Sequence, residues 1–297
     1  MKDFLAWLMR SRLARVGMAA LLGLVRLFGP FSGGVIALVT LRHGWLEGLL
    51  TTLGASIVLA AIEMGLVHGG LFVLTLPTLV LWWVIIGLAL VLRRTASLAL
   101  MMQAATALGC LAVALFFLAN PNPLEFWTPL LKQLLLPMLQ GSTAAMQRDW
   151  TLVIERMAML MTGVTGASLA LGSSLAVLCG RWGQAVLYNP GGFRDAFHRL
   201  RMGWIATLAA SCVFVLAGLF NNVFIDNLAI VLLVMFMYQG LAVIHGIAGY
   251  KKVHAGWLAA FYTLFVLEFL YVLAIVAGVG LIDNWFDIRA RVARKKA

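Results

Sequence analysis

Charged residues are scarce in this sequence. Only 11% of its 297 residues are Asp, Glu, Lys or Arg, whereas a soluble globular domain carries roughly 25%. Hydrophobic residues make up 63% of the chain. This composition excludes an ordinary soluble domain and predicts an integral membrane protein.

Cysteine and motif residues are also sparse. The three cysteines, Cys110, Cys179 and Cys212, form no CxxC pair, so neither a disulfide framework nor a cysteine metal site is predicted. The chain contains no GxxxxGK[ST] loop, no HExxH helix and no GxSxG elbow. We therefore expect no cofactor and no metal ion, and no catalytic residue is predicted.

Long apolar runs dominate what remains. They cover approximately residues 14–28, 31–41, 45–63, 70–92, 96–118, 152–179, 203–220, 224–247 and 255–281. Several approach or exceed the ~20 residues that a transmembrane helix needs. The runs predict an all-α fold, a polytopic transmembrane helix bundle of 8–9 membrane segments that forms a single integral membrane domain over residues 1–297.

This domain divides into N-terminal helices over 14–118, a non-cytoplasmic connection over 119–151, C-terminal helices over 152–281 and a basic tail over 282–297. The connection contains "LLKQLLLPMLQ", which is apolar on most sides but too short to span, and predicts an interfacial helix bent at Pro137.

"FGPFSGG" joins the first two runs as a hairpin of two short spans or as one broken span. Nine spans would put the termini on opposite sides of the membrane, and eight would put them on the same side.

Lysine and arginine exceed Asp and Glu by 22 to 11, which gives a net charge of +11. The basic residues lie at every second loop: Arg42, Arg93–Arg94, the stretch 181–201 and Lys251–Lys252. The positive-inside rule places these loops in the cytoplasm. The charge therefore indicates anionic membrane lipids as partners rather than nucleic acid.

The stretch "RWGQAVLYNPGGFRDAFHRLRMG" concentrates charge and turn residues between two spans. Pro190 and Gly191 suit the central positions of a type II turn, and a short amphipathic helix over 193–201 is expected to follow along the cytoplasmic surface. The stretch is a connector, or it docks a protein partner or lipid surface. The docking residues would be Asn189, Pro190, Gly191, Gly192, Arg194, Arg199 and Arg201.

Polar side chains at membrane depth are costly and are therefore candidate ligand-binding residues. They are Glu268, Gln103, Gln239, His245 and Glu63. Glu268 lies near the middle of the last apolar run without a neighbouring charge. We expect it to face the bundle interior, either in a binding role or in a structural pair with Arg26 or a histidine.

Small residues fill Thr162–Ser174, where Gly163/Ala167, Gly166/Ala170 and Ser168/Gly172 repeat at four-residue spacing. Such surfaces let helix backbones approach closely. The stretch predicts close packing within the bundle, a helix that slides against its neighbours, or an oligomer face.

The 181–203 stretch, "GLIDNWFDIRAR" near the C-terminus and "TLRHG" over 40–44 together carry a resemblance. The chain resembles the YybS-like family of uncharacterised bacterial multi-pass inner-membrane proteins. That family has no established activity, so the resemblance implies no catalytic residue. The opening hairpin is also similar, at fold level, to the membrane-embedded substrate-binding components of energy-coupling-factor transporters, which implies ligand binding.

Three functions follow as expectations. The first is binding or transport of a small molecule or lipid within the bundle. The alternative is a non-transporting scaffold that docks partners through the cytoplasmic 181–202 loop. An intramembrane enzyme is the third, since active-site residues can be distant in sequence.

Overall fold

The computed structural model describes residues 1–66, 75–135, 144–251 and 253–294. Within these ranges the chain is helical and contains no strand, which confirms the all-α class. The helices are α1 (Lys2–Arg10), α2 (Arg12–Gly23), α3 (Gly29–His43), α4 (Trp45–Leu66), α5 (Thr75–Thr95), α6 (Leu98–Ala119), α7 (Pro123–Leu135), α8 (Ala144–Tyr188), α9 (Gly192–His198), α10 (Trp204–Leu219), α11 (Val223–Lys251), α12 (Ala255–Leu267), α13 (Phe269–Phe286) and α14 (Ile288–Arg294).

Six helices in the described ranges are long and apolar enough to cross a membrane. They are α4, α5, α6, α8, α11 and α13, and α10 and α12 are shorter apolar helices. The chain is therefore a multi-pass membrane protein. It folds as two compact units: unit 1 comprises 1–105, 171–201 and 242–251, and unit 2 comprises 106–170, 202–241 and 252–297.

Unit 1 is built around α3, whose residues from Ser32 to Leu41 are all buried. The α2–α3 pair is a hairpin of two short helices joined by a 3-10 turn over Arg26–Phe28, and the Ser32 hydroxyl donates to the Ala19 carbonyl at 2.7 Å. At 1.5 Å per residue, α2 and α3 are about 18 and 22 Å long, shorter than a ~30 Å hydrocarbon core. Of the two readings of "FGPFSGG", the structure contains the hairpin.

The N-terminal helix α1 adds to this core. Met9 packs against Leu38 and Val39, with Leu5 and Leu187 around them. The sequence predicted helices only from residue 14 onward, so α1 is an additional helix that was not predicted.

Unit 2 contains close helix crossings at glycine. A Cβ on Gly109 would lie 2.6 Å from the Gly166 carbonyl oxygen, and one on Gly280 would overlap the Phe236 carbonyl oxygen. The Gly163 amide donates to the Asn227 side chain. The small residues predicted for close packing therefore bring α8 against α6 and α11 within this unit, as small-residue surfaces do in membranes.

Two segments of the predicted division differ in the structure. Helix α8 begins at Ala144, inside the predicted connection 119–151, and α7 packs on it through Leu131 and Ile154. The Trp127 indole also donates to the Thr162 hydroxyl at 2.8 Å. Residues 147–149 are polar and lie before the apolar run in the sequence, but the helix includes them. Pro137 lies outside the described residues.

The last predicted segment, 255–281, is two helices rather than one. Helix α12 ends at Leu267, Glu268 has φ −116° and ψ 45°, and α13 continues to Phe286. Neither Pro nor Gly marks this break, so no turn residue in the sequence indicated it.

Candidate functional site

The predicted ligand-binding residues are divided between the two units. Glu63, Gln103 and His245 belong to unit 1, and Gln239 and Glu268 belong to unit 2. His68, which the sequence placed near Glu63, lies outside the described residues.

Glu268 is exposed on the surface of the chain, so the expectation that it faces the bundle interior is wrong. It sits where the α12 direction changes, and the helical hydrogen bonds around it persist: its amide donates to the Leu264 carbonyl and its carbonyl accepts from the Val272 amide, both at 2.9 Å. The helix that precedes it, α12, has no buried residue.

Glu63 has a structural partner. Its Oε2 accepts hydrogen bonds from the Thr75 hydroxyl at 2.7 Å and the Thr75 amide at 3.2 Å. Glu63 is 5% exposed, and these donors stabilise its carboxylate at the point where α4 ends and α5 begins. Hydrogen bonding of this kind is required when a polar group is buried.

Gln239 is the centre of a buried polar network in unit 2. Its Oε1 accepts from the Met202 amide at 2.8 Å and from Asn284 Nδ2 at 2.9 Å. Asn284 Nδ2 also donates to the Thr207 hydroxyl at 2.6 Å. The network joins α10, α11 and α13, so Gln239 has a structural role in packing these helices.

Asp283 and Arg289 complete this network. Asp283 is fully buried, and Arg289 donates to its Oδ2 from Nη2 at 2.7 Å and from Nε at 3.2 Å. Because charge-assisted bonds of this type are strong, the pair fixes the basic tail to the end of α13. The stretch "GLIDNWFDIRAR" contains Asp283, Asn284 and Arg289, none of which was a predicted site residue.

The 189–192 turn has the predicted geometry. Gly191 has φ +87° and ψ −23°, and the Gly192 amide donates to the Asn189 carbonyl at 3.0 Å. A Cβ on Gly192 would overlap the Asn189 side chain. The two glycines therefore serve different purposes, positive φ at one position and close approach at the other.

The helix after the turn is shorter than the predicted 193–201 because it ends at His198. Phe197 and His198 contact the ring of His245 on α11, with centroid distances of 6.2 and 6.4 Å. His245 thus supports α9 within unit 1. Arg199 and Arg201 follow the helix and are exposed.

Three basic loops of unit 1 meet at one end, which we call the basic end. Arg93 Nη1 donates to the Thr40 carbonyl at 3.1 Å, and the Arg42 guanidinium lies 4.3 Å from the centroid of the Tyr188 ring. These contacts join the ends of α3, α5 and α8. The alternation of basic loops in the sequence is consistent with this arrangement.

A cavity of about 310 Å³ opens at the basic end, and we call it the basic pocket. Its polar lining consists of Arg93, Arg181, Gln184, Tyr188 and Asn189, and its apolar lining includes Leu41, Leu92 and Leu98. Among the described residues of the chain, no aspartate or glutamate lines it. Only Asn189 was a predicted site residue, and the others come together through tertiary packing.

The backbone beside the pocket is strained. Ala96 lines it and has φ +52°, a left-handed conformation that costs a non-glycine residue about 1–2 kcal/mol. The Ala96 amide donates to the Leu92 carbonyl at 2.9 Å, and the Ser97 hydroxyl accepts from the Leu100 amide to cap α6. Strain of this kind is found at ligand sites, where the surrounding structure maintains it.

The chemistry available in the basic pocket is recognition of negative charge. Arg181 Nη1 donates to Gln184 Oε1 at 3.2 Å, a bond that orients one guanidinium, as the Thr40 carbonyl orients Arg93. A guanidinium has five N–H donors, so both groups retain donors for a ligand. In the part of the chain that the structure describes, no group of three His, Cys, Asp or Glu residues could hold a metal ion.

The chain matches no family model, no curated protein and no solved structure in the comparisons made. Membership of the YybS-like family stays a prediction from the quoted motifs.

Proposed function

We propose that this multi-pass membrane protein binds a small anionic molecule, phosphate- or carboxylate-bearing, in the basic pocket. The observation that carries the proposal is a pair of oriented guanidinium groups, Arg93 and Arg181, that line one cavity whose described lining residues include no carboxylate. Transport of that molecule would extend the same proposal, and the basic end would be cytoplasmic by the positive-inside rule.

The composition of the pocket supports an anion over a neutral or cationic ligand. The Arg42 guanidinium on the Tyr188 ring adds a third positive charge close to the lining. Like charges gathered close together repel each other, and an anion relieves that repulsion. Amide and hydroxyl groups of Gln184, Asn189 and Tyr188 supply neutral hydrogen-bonding partners.

The size of the pocket supports a small ligand. Ligand sites commonly enclose about 300–1,000 Å³, and the basic pocket lies at the lower end of that range at about 310 Å³. A compact anion can therefore contact Arg93 and Arg181 together, and bidentate bonds from arginine suit phosphate and carboxylate groups.

Thermal unfolding of the purified protein during titration with pyrophosphate tests the proposal. Chloride at matched ionic strength controls for screening. We expect pyrophosphate to raise Tm in the wild type, because a ligand that binds only the folded state stabilises it. Arg181→Gln should weaken the apparent affinity about 10- to 100-fold, since a hydrogen bond to a charged group contributes about 1.5–3 kcal/mol.

Arg199→Gln is the matched control, because Arg199 is exposed and lies outside the pocket lining. It should leave the titration unchanged. A stabilisation that chloride reproduces, or one that Arg181→Gln leaves intact, would refute the proposal.

Docking of a partner protein through the 181–202 loop is a second candidate. It is supported by the exposure of Arg194 and Arg199 beside a turn of defined geometry. Charge reversal at Arg199 would then remove one specific acidic protein from a co-purification and leave the pyrophosphate titration unaffected.

A further inference from the structure

An apolar groove lies between α4 and α5 in unit 1, apart from the basic pocket. It is lined by Trp45, Leu49, Trp83, Ile86, Gly87 and Leu90, with Arg94 at one end, and encloses about 460 Å³. A second cavity of about 440 Å³ shares Trp45, Leu90 and Arg94 with it and adds His43 and Arg93. The two cavities therefore adjoin, and we call them together the path, which is apolar at one end and basic at the other.

The absence of a side chain at Gly87 helps to keep the groove open. A Cβ at this position would meet no atom within 4 Å. Trp45 and Trp83 flank the space and are 57% and 56% exposed. Gly87 is thus a position where a larger side chain would occupy the groove without clashing with the protein.

The groove has the length of one membrane leaflet. Trp83 and Arg94 are eleven residues apart on α5, a distance of about 16 Å along a helix. Half of a ~30 Å hydrocarbon core is about 15 Å. An acyl chain that starts beside Arg94 would therefore lie along the groove as far as Trp83.

The polar end of the path is positively charged. Arg93 and Arg94 line it, and among the residues that the structure describes no aspartate or glutamate lines either cavity. Burial, together with the positive charge of Arg15, holds the pKa of His43 below its usual value. The charge at neutral pH therefore comes from the arginines and persists at higher pH.

We infer that this path is a binding site for one anionic phospholipid. Its phosphate contacts Arg93 and Arg94, and one of its acyl chains lies in the groove beside Gly87. Charge complementarity selects an anionic headgroup over a zwitterionic one, and the groove selects a lipid over a free headgroup. The site adjoins the basic pocket, and Arg93 lines both.

Native mass spectrometry of the full-length protein tests this inference. The protein is equilibrated with micelles containing equal amounts of phosphatidylglycerol and phosphatidylcholine, and retained lipids are counted. We expect the wild type to retain phosphatidylglycerol in preference. Arg94→Gln should reduce that preference about fivefold, because a basic residue near anionic lipid contributes about 1 kcal/mol.

Gly87→Leu should abolish retention by occupying the groove. Gly17→Leu is its matched control, since a Cβ on Gly17 also meets no atom within 4 Å and Gly17 does not line either cavity. Arg10→Gln, at an exposed arginine of α1, controls for loss of charge. If Gly87→Leu does not fold, Leu49→Trp narrows the groove from α4 and should have the same effect.

Equal retention of both lipids by the wild type would overturn the inference, as would unchanged retention in both groove variants. Competition by soluble glycerophosphoglycerol at the same concentration as the lipid would show that the acyl chain contributes nothing, and would also overturn it. Arg181→Gln should leave lipid retention intact and Gly87→Leu should leave the pyrophosphate titration intact, so failure of either proposal is distinguishable from failure of the other.

Discussion

Removing one partner of the buried ion pair in unit 2 should destabilise the protein far more than removing both partners. Asp283 is fully buried, and the side chain of Arg289 is 13% exposed. Arg289→Met would leave the Asp283 carboxylate with the Gln239 Nε2 at 3.5 Å and the Arg289 backbone amide at 3.4 Å. Both bonds are long, so they compensate poorly for the lost guanidinium.

The expected magnitude follows from this geometry. Removing one partner of a buried pair costs about 3–5 kcal/mol, and Arg289→Met should lie at the upper end because the stranded charge has no exposure to water. Asp283→Asn should lie at the lower end, since Arg289 retains some exposure. The double variant carries neither charge, so its cost should be about 1 kcal/mol. The sum of the two single variants then exceeds the double variant by several kcal/mol, which is the coupling energy between Asp283 and Arg289.

Thermal unfolding of the four proteins in one detergent measures this cycle. For a chain of this size 1 kcal/mol corresponds to roughly 2 °C in Tm, so Arg289→Met should lower Tm by about 6–10 °C. Arg291→Met is the control, because Arg291 is exposed and its guanidinium lies 5.6 Å from the centroid of the Phe286 ring. Additive effects of the two single variants, or an Arg289→Met as mild as the control, would refute the reasoning.

Three further variants test the helix crossing, the turn and the exposed carboxylate. Gly280→Ala should lower stability by about 1–3 kcal/mol, because the added Cβ overlaps the Phe236 carbonyl. Gly278→Ala is the control and should not lower it, because a Cβ there meets no atom within 4 Å. A difference in Tm between the two variants checks this, and equal Tm values would contradict it. Gly191→Val should cost about 1–3 kcal/mol because of its φ of +87°, and protease sensitivity of the 181–202 loop should increase; an unchanged digestion pattern would argue against strain. Glu268→Leu should leave folding intact or improve membrane insertion, since a charged residue at mid-bilayer costs about 3 kcal/mol; a marked loss of Tm would show that the exposed carboxylate has a stabilising partner.

The sequence predicted the fold class because apolar composition and run length are local properties. The Asn189–Gly192 turn was predicted for the same reason, since Pro190 and Gly191 encode its backbone angles. The hairpin of α2 and α3 was one of two readings of "FGPFSGG", and packing around Ser32 decided between them.

The features that depend on tertiary contacts could not be predicted in this way. The break at Glu268 has no Gly or Pro to mark it, and only the exposed position of α12 explains the outward side chain. Gln239 was predicted as a ligand-binding residue, yet its partners Met202, Asp283 and Asn284 are 37, 44 and 45 residues away in sequence. No spacing rule relates positions so far apart.

The basic pocket illustrates the same limit. Arg93 and Arg181 were predicted only as markers of cytoplasmic loops, and the packing of α3, α5 and α8 places them around one cavity. The alternating charge in the sequence therefore predicted the basic loops. The position of the pocket, by contrast, depends on the contacts of Thr40 and Tyr188.

A cryo-electron microscopy map of the protein extracted with its native lipids, without detergent, tests the central proposal most directly. We predict compact density within hydrogen-bonding distance of both the Arg93 and the Arg181 guanidinium groups, and its loss in Arg181→Gln. A basic pocket filled by one of the chain's own carboxylates, or density that persists unchanged in Arg181→Gln, would contradict anion binding at this site.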